Sequence, residues 1–230
     1  MTNQDDRSID GVVFDLDGVI IDSEHLWEEA WRAFSESRGV AWSRSDTLAV
    51  QGMSAPEWAG YLADHVGARD DVDVVRDHCV DDIIGRIGNG EAELIPGARE
   101  LVTSVSERVP IALASSSARK TIDAVLAYHD LAHLFTATVS SEEVPRGKPS
   151  PDVYLEAAAL LDLAPGRGLA VEDSSNGIRA AHASGLRVIG IPNVTYPPKP
   201  AAAALAYYVA ADHVDAREFI LAHLPEGVRQ

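Results

Sequence analysis

The sequence predicts an α/β protein in which a doubly wound parallel sheet carries an inserted helical domain. Short runs rich in Val, Ile and Ala alternate with helical patterns, as in a parallel sheet covered on both faces. The first run, GVVFDL, has Asp15 near its end and Asp17 directly after it, and ligands of such sheets sit beyond the carboxyl ends of the strands. From Ser23 to Ile95 the alternation stops, and only helical patterns occur. We therefore predict a Rossmann-like core with an α-helical cap inserted after its first strand.

The composition limits the functions that are open to this chain. Its 230 residues are 46% hydrophobic, which suffices for a sizeable core, and its formal net charge of −17 disfavours nucleic acid and anionic membranes as partners. Cys79 is the only cysteine, so no intramolecular disulfide can form. Residues 1–10 are polar and acidic, and no apolar run of about 18 residues occurs, so we expect no targeting segment and no membrane span. We therefore expect a cytoplasmic protein. The sequence does not indicate whether the protein is a monomer or an oligomer.

The predicted sheet has five strands, each a short apolar run. They are residues 11–16, 110–116, 136–141, 168–173 and 186–192. The helical patterns that lie between the later strands are residues 98–107, 118–128, 152–161 and 174–183. Gly185 stands where a glycine commonly ends a helix, just beyond the last of them. This order of elements predicts parallel strands joined by helices that pack on both faces of the sheet.

Residues 23–95 are predicted to form the cap, and residues 1–22 and 96–230 the core. The first cap helix has an apolar stripe at helical spacing, made of Leu26, Trp27, Ala30, Trp31 and Phe34. We interpret the two tryptophans of this stripe as core residues of the small domain and not as a stacking surface for a ligand. Gly39 is placed to end the helix.

Polar residues of the kinds that a phosphate site requires stand at or after the ends of several predicted strands. They are Asp15, Asp17, Ser115, Ser116, Lys148, Glu172 and Asp173, and Gly18 directly follows the second aspartate. Because the carboxyl ends of parallel strands meet at one edge of the sheet, we expect these residues to lie close together. A phosphate-bearing substrate needs such local donors in a chain with this net negative charge.

Each step of phosphoryl transfer has a candidate residue in this set. Asp15 is suited to attack phosphorus and form an aspartyl-phosphate, while Asp17 is suited to protonate the leaving oxygen and then activate water. Asp173 with Asp15 offers the hard oxygen ligands that Mg²⁺ prefers, and Glu172 is placed to assist them. The predicted cofactor is therefore Mg²⁺.

The phosphate itself requires hydrogen-bond donors and a positive charge. We assign these to the hydroxyls of Ser115 and Ser116 and to the ammonium of Lys148. Gly18 allows the backbone to approach the phosphate closely at the turn. The predicted partner is a small phosphorylated metabolite.

Four stretches of the chain, in this order, resemble the motifs of a known superfamily. They are FDLDGVIIDSE, LASSS, GKPSPDVY and VEDSSNGI, and they resemble the four motifs of the haloacid dehalogenase-like superfamily over about residues 9–222. A helical cap directly after the first motif is similar to the group that contains beta-phosphoglucomutase and many small sugar-phosphate phosphatases.

The resemblance assigns roles to the same residues that the chemistry suggests. It implies that Asp15 is the nucleophile and Asp17 the acid and base, and that Ser115 and Lys148 anchor the phosphate. It places Asp173 and Glu172 at the magnesium, and it implies that the backbone carbonyl of Asp17 is a further metal ligand.

Three functions stay open: a phosphatase, a phosphosugar mutase and a non-catalytic protein that binds a phosphometabolite. Dehalogenases of this superfamily lack a second aspartate two residues after the first, so Asp17 argues for phosphorus chemistry. As we align them, beta-phosphoglucomutases carry a histidine and an arginine where this chain has Trp27 and Ala55, which leaves fewer groups to grip a second phosphate. Hydrolysis is therefore the expected reaction. A silent binding protein is disfavoured because every catalytic position is filled.

Overall fold

The computed structural model of the protein describes residues 9–68 and 71–225. Its strands are β1 (Gly11–Phe14), β2 (Ile21–Asp22), β3 (Glu93–Leu94), β4 (Ile111–Ser115), β5 (Ala137–Ser140), β6 (Gly168–Glu172), β7 (Arg187–Gly190) and β8 (Tyr208–Val209). Six of them form one parallel sheet in the order β5-β4-β1-β6-β7-β8. The other two, β2 and β3, form a short antiparallel pair.

Ten α-helices lie in the described ranges. They are α1 (Glu24–Ser37), α2 (Arg44–Val50), α3 (Ala55–His65), α4 (Val72–Gly88), α5 (Ala98–Ser106), α6 (Arg119–Tyr128), α7 (Asp152–Leu160), α8 (Ser175–Ala183), α9 (Pro200–Ala203) and α10 (His213–His223). Gly39 and Gly185 stand just beyond α1 and α8, as the sequence predicts for helix ends. None of these helices has both the length and the apolar character that a membrane span requires.

The sheet is covered on both faces, which confirms the predicted α/β fold class. Val12 and Phe14 of β1 belong to one apolar cluster, which includes residues of α5, α6 and α10. Val13 belongs to a second cluster on the other face, together with residues of α7 and α8. Strands that are buried on both faces need apolar residues at every position, which explains their continuous apolar runs.

The sheet has one strand more than the five that the sequence predicts. The sixth, β8, is two residues long and lies at the edge, where Tyr208 is half-buried and Val209 is 50% exposed. A strand of this kind has no buried apolar run, so the pattern that reveals the other five is missing. The prediction of five strands was therefore one strand short.

The interval from α1 to α4 is helical, as predicted, and its core contains a cluster of tryptophans. The rings of Trp27 and Trp31 are 7% and 8% exposed, and their centroids are 5.9 Å apart. Trp58 packs against both, at 5.5 and 5.9 Å. The strands β2 and β3 pair where the chain leaves and re-enters the sheet layer. Because α4 also contacts α6, and one apolar cluster runs from the sheet into these helices, the cap as a separate domain stays a prediction.

Candidate active site

The predicted site residues meet at the carboxyl ends of three adjacent strands, β4, β1 and β6. Asp15 directly follows β1, and its backbone N–H still donates to the Val171 carbonyl of β6 over 3.0 Å. Ser115 and Glu172 are the last residues of β4 and β6. The order of the parallel strands therefore brings together residues that are up to 157 positions apart, counted from Asp15 to Glu172.

Lys148 connects two of these carboxylates at the buried centre of the site. Its Nζ donates to Asp15 Oδ1 over 2.8 Å and to Glu172 Oε1 over 2.7 Å, and the side chain is only 3% exposed. The Tyr154 hydroxyl also donates to Glu172 Oε1, over 2.8 Å. Burial alone lowers the pKa of Lys148, but the negative charges of Asp15 and Glu172 outweigh it and raise that pKa. The lysine is therefore a fixed ammonium group.

Glu172 is held by the chain that follows it. Its Oε2 accepts hydrogen bonds from the backbone N–H groups of Asp173 and Ser174, over 3.0 and 3.1 Å. These groups lead into the N-terminus of α8, where the helix dipole favours a negative charge. Gly177, in the first turn of α8, leaves the space that the carboxylate occupies, because a Cβ there would lie 1.6 Å from Glu172 Oε1.

Asp15, Glu172 and Asp173 each bring a carboxylate oxygen within 4.8 Å of the others, and all three residues are buried. Burial, reinforced by Glu172 and Asp17 and opposed by Lys148, raises the pKa of Asp15 to about 7. Burial, reinforced by Glu172 and Asp15, raises the pKa of Asp173 well above its ordinary value. Three carboxylates thus lie close together, and Lys148 is paired with only two of them; the excess negative charge and the all-oxygen donor set fit a divalent cation such as Mg²⁺.

Asp17 lies beside this group, and three side chains donate to its carboxylate. Ser117 Oγ donates to Oδ2 over 2.7 Å, while Ser23 Oγ and Trp27 Nε1 donate to Oδ1, the latter over 3.3 Å. Trp27 is a core residue, as predicted, but it also reaches the site from α1. The sequence prediction weighed a core role only against stacking on a ligand and did not consider that an indole can pack with its ring and donate with its N–H.

The three serines after the apolar run of β4 differ in their surroundings. Ser115 is fully buried, and its Oγ accepts the backbone N–H of Ser117 over 3.0 Å. Ser116 and Ser117 line the adjoining cavity, whereas Ser115 is not among its lining residues. The Ser116 hydroxyl oxygen is buried and has no hydrogen-bond partner among the described residues. Such an unused donor is suited to a phosphoryl oxygen. The assignment of Ser115 and Ser116 to the phosphate stays a prediction.

A cavity of about 700 Å³ lies between the strand ends and the helices α1 to α3. Its polar floor is made of Asp15, Asp17, Ser116, Ser117, Lys148 and Asp173. Its opposite wall carries Trp27, Trp31 and Trp58 from the predicted cap. Ala55, one of the two positions that separate this chain from the mutases in our alignment, is fully buried at the start of α3 and is not among the described lining residues.

Asn193, in the loop after β7, is a site residue that the sequence did not indicate. Its Nδ2 donates to Asp173 Oδ2 over 3.1 Å and to Glu24 Oε2 over 2.9 Å. Its Oδ1 accepts the backbone N–H groups of Thr195 and Tyr196, over 2.9 and 3.0 Å. This pattern fixes the orientation of the amide, because the opposite orientation sets an oxygen against two carboxylates. Asn193 thus joins a candidate metal ligand to α1.

Comparisons with known proteins agree with this geometry. The model of the haloacid dehalogenase-like hydrolase family matches residues 9–185. Hexitol phosphatase B of Escherichia coli (strain K12) is 36% identical over 195 residues, which cover 81% of this chain and 85% of that protein. The bifunctional riboflavin kinase/FMN phosphatase of Arabidopsis thaliana is 31% identical over 80% of this chain, but the chain spans only 48% of its length.

A solved structure shares the fold over nearly the whole chain. The crystal structure of beta-phosphoglucomutase from Clostridium difficile matches with a TM-score of 0.77, covering 93% of this chain and 99% of the other. The sequence identity is 21%, so this likeness concerns the fold alone. Phosphatases and mutases therefore both occur among the proteins that this chain resembles, and the fold does not separate the two reactions.

Proposed function

Because the chain belongs to the haloacid dehalogenase-like hydrolase family, we propose that it is a magnesium-dependent phosphatase of small phosphate monoesters, above all sugar phosphates. The observation that carries the proposal is the pair Asp15 and Asp17 on the floor of one cavity. The first is bound by a buried ammonium, and the second accepts three side-chain hydrogen bonds. One cavity thus presents a carboxylate for attack on phosphorus and a second carboxyl group for proton transfer with the leaving oxygen.

In the first half of the proposed reaction, a carboxylate oxygen of Asp15 attacks the phosphorus of the ester. The bond from phosphorus to the ester oxygen breaks, and an aspartyl-phosphate forms on Asp15. Asp17 gives its proton to the departing alkoxide, so that the leaving group is released as an alcohol. Lys148 and the free hydroxyl of Ser116 hold phosphoryl oxygens during this step.

In the second half, the ionised Asp17 takes a proton from a water molecule. The water oxygen attacks phosphorus, the bond to the Asp15 carboxylate breaks, and inorganic phosphate is released. Asp17 is then protonated and Asp15 ionised, as at the start. The hydrogen bonds from Ser117 and Trp27 hold the Asp17 carboxylate at the wall of the cavity.

The proposed ligands of Mg²⁺ are Asp15, Asp173 and the backbone carbonyl of Asp17. Glu172 is proposed to assist them without binding the cation directly, through its ion pair with Lys148. When bound, the cation supplies positive charge that stabilises the transferring phosphoryl group and the ionised form of Asp15. Asn193 holds the Asp173 carboxylate in its orientation. Sugar phosphates are the proposed substrates because a relative that is 36% identical is a hexitol phosphatase.

The proposal is tested by comparing hydrolysis with isomerisation in the same preparation. We expect the protein with Mg²⁺ to release inorganic phosphate from sorbitol 6-phosphate and from glucose 1-phosphate. A coupled assay for glucose 6-phosphate, with β-glucose 1-phosphate and a trace of glucose 1,6-bisphosphate, should show slower isomerisation than phosphate release. The physical reason is that water reaches the phosphoenzyme once the alcohol has left, with Asp17 ready to activate it.

Two results contradict the proposal. Isomerisation that is faster than phosphate release would promote the mutase. If the protein binds phosphate esters but hydrolyses none of them, not even p-nitrophenyl phosphate, the non-catalytic binding protein is supported instead.

Magnesium binding should depend on pH in a direction that follows from the raised pKa values. In the metal-free protein, Asp15 with a pKa of about 7 instead of 3.8 takes up a proton as the pH falls through 7, and Asp173 is shifted in the same direction. These protons must leave before Mg²⁺ binds, so its affinity weakens as the pH falls. At pH 8, Mg²⁺ at about 100 times its Kd should stabilise the fold by about 2.7 kcal/mol, which is about 5–10 °C in Tm. The shift should be much smaller at pH 5.5.

Thermal unfolding with Mg²⁺ and with EDTA at both pH values measures this effect. Asp173→Asn should lose the Mg²⁺ shift at pH 8, whereas Asp81→Asn, an exposed position on α4, should keep it. An equal shift at both pH values, or one that survives in Asp173→Asn, would show that the cation binds elsewhere.

A further inference from the structure

Three cationic side chains line the cavity without a hydrogen-bonded or ion-paired partner among the described residues, although the chain is strongly acidic. Arg44, Arg179 and Lys199 contribute to the cavity wall, and none has a side-chain hydrogen bond or ion pair with a described residue. Six other arginines of the described chain hold carboxylates at close range; they are Arg32, Arg76, Arg86, Arg119, Arg146 and Arg167. We call the three residues at the cavity the cationic rim. Its charges are available to a ligand.

The three residues come from different elements that line the same cavity. Arg179 lies one helical turn after Ser175 on α8, and the backbone N–H of Lys199 donates to Ser175 Oγ over 2.8 Å. Arg44 begins α2 and lies near Tyr196, three residues before Lys199. Burial and the hydrogen bond to Glu28 raise the pKa of Tyr196, and the positive charge of Arg44 opposes that rise. The cationic rim therefore combines the core, the loop after β7 and the predicted cap.

The cationic rim is made of different residues from those assigned to the transferred phosphoryl group. The ammonium on the cavity floor, Lys148, is already paired with Asp15 and Glu172. The cavity of about 700 Å³ lies in the upper half of the range of about 300–1,000 Å³ that is usual for ligand pockets. A substrate whose phosphoryl group sits on the floor therefore has room to extend a leaving group towards the cationic rim.

We propose that the substrate carries a second anionic group, a carboxylate or a second phosphate, which binds at the cationic rim. This inference rests on the proposed phosphatase function and narrows its substrate class. Arginine binds both kinds of group through paired N–H donors, and a lysine adds a movable point charge. The sequence comparison with mutases did not reveal this second anion site, because it considered only Trp27 and Ala55. The cationic residues stand at other positions of the chain.

Matched pairs of substrates test the proposal, since each pair differs by one anionic group. Glycerol 3-phosphate is compared with 3-phosphoglycerate, and glucose 1-phosphate with glucose 1,6-bisphosphate, all by phosphate release with Mg²⁺. We expect kcat/KM to be about tenfold or more higher for at least one anionic member, as for one charge-assisted contact. The pair that shows the preference tells a carboxylate from a phosphate.

Variants assign the preference to the cationic rim. Arg179→Gln and Arg44→Gln should each lower kcat/KM for the preferred anionic substrate by about tenfold and change that for its neutral partner by less than about twofold. Arg179→Lys should retain part of the preference. Arg217→Gln is the matched control, because Arg217 lies on α10, its side chain has no hydrogen bond or ion pair with a described residue, and it does not line the cavity.

The outcomes separate this inference from the proposed function. Hydrolysis of p-nitrophenyl phosphate with no preference within either pair would leave the phosphatase standing and overturn the second anion site. Equal losses on neutral and anionic substrates in the variants would also overturn it, because the rim would then only attract phosphate esters in general. No hydrolysis of any ester would contradict the proposed function and this inference together.

Discussion

Asp15→Asn should abolish phosphatase turnover while leaving the protein folded. The amide has nearly the shape of the carboxylate but cannot attack phosphorus, so no aspartyl-phosphate can form. The loss in kcat should exceed about a hundredfold, as is usual when a nucleophile is removed. Phosphate release from p-nitrophenyl phosphate with Mg²⁺ measures the effect, and the wild-type protein should also show a phosphorylated intermediate after acid quench.

The charge balance of the site explains why this variant should fold. Asp15 is a buried carboxylate whose pKa is raised to about 7, so its ionised form is unfavourable in the metal-free protein. The neutral amide removes that cost, and Lys148 keeps Glu172 as its ion-pair partner. The Tm of Asp15→Asn in EDTA at pH 8 should therefore not fall below that of the wild type by more than a few degrees. Retention of more than about a hundredth of the wild-type rate would exclude Asp15 as the nucleophile.

The sequence predicted those site residues whose position follows from the sheet itself. Asp15 and Glu172 stand at the ends of buried strands, and parallel pairing of β1 with β6 brings them together whatever the loops do. The register of this pairing is set by apolar runs that are plain in the sequence. The same reasoning does not reach β8, because a two-residue edge strand has no such run.

Other features of the site depend on packing between elements, which a sequence pattern does not contain. Whether Ser115, Ser116 or Ser117 faces the cavity is decided by how the chain turns after β4. The contact of Trp27 with Asp17 requires the particular placement of α1 over the strand ends. Asn193 Oδ1 accepts the backbone N–H groups of Thr195 and Tyr196 in the same loop, and this turn directs Nδ2 towards Asp173.

Gly18→Ala should remove metal binding, for a reason that also depends on packing. Gly18 follows Asp17 with a φ of +79°, and a Cβ there would lie 1.9 Å from Asp173 Oδ2. The sequence assigned this glycine to close approach of the phosphate, and the structure shows the close approach of a carboxylate. Alanine forces Asp173 away from Asn193 and from the other two acids. A misplacement of about 1 Å in an active site can lower the rate on the order of a hundredfold. We therefore expect Gly18→Ala to lower the rate of phosphate release by a factor of that size.

Gly39→Ala separates the steric effect from the cost of the backbone conformation. Gly39 has a φ of +76°, close to that of Gly18, but no described atom lies within 4 Å of the position its Cβ would take. Both variants therefore pay about 1–2 kcal/mol for an alanine in the left-handed region, which lowers Tm by a few degrees. Only Gly18→Ala should also lose the rise in Tm that Mg²⁺ produces at pH 8 and its activity. If Gly18→Ala kept the full Mg²⁺ shift, Asp173 would not be a metal ligand in the orientation that Asn193 holds.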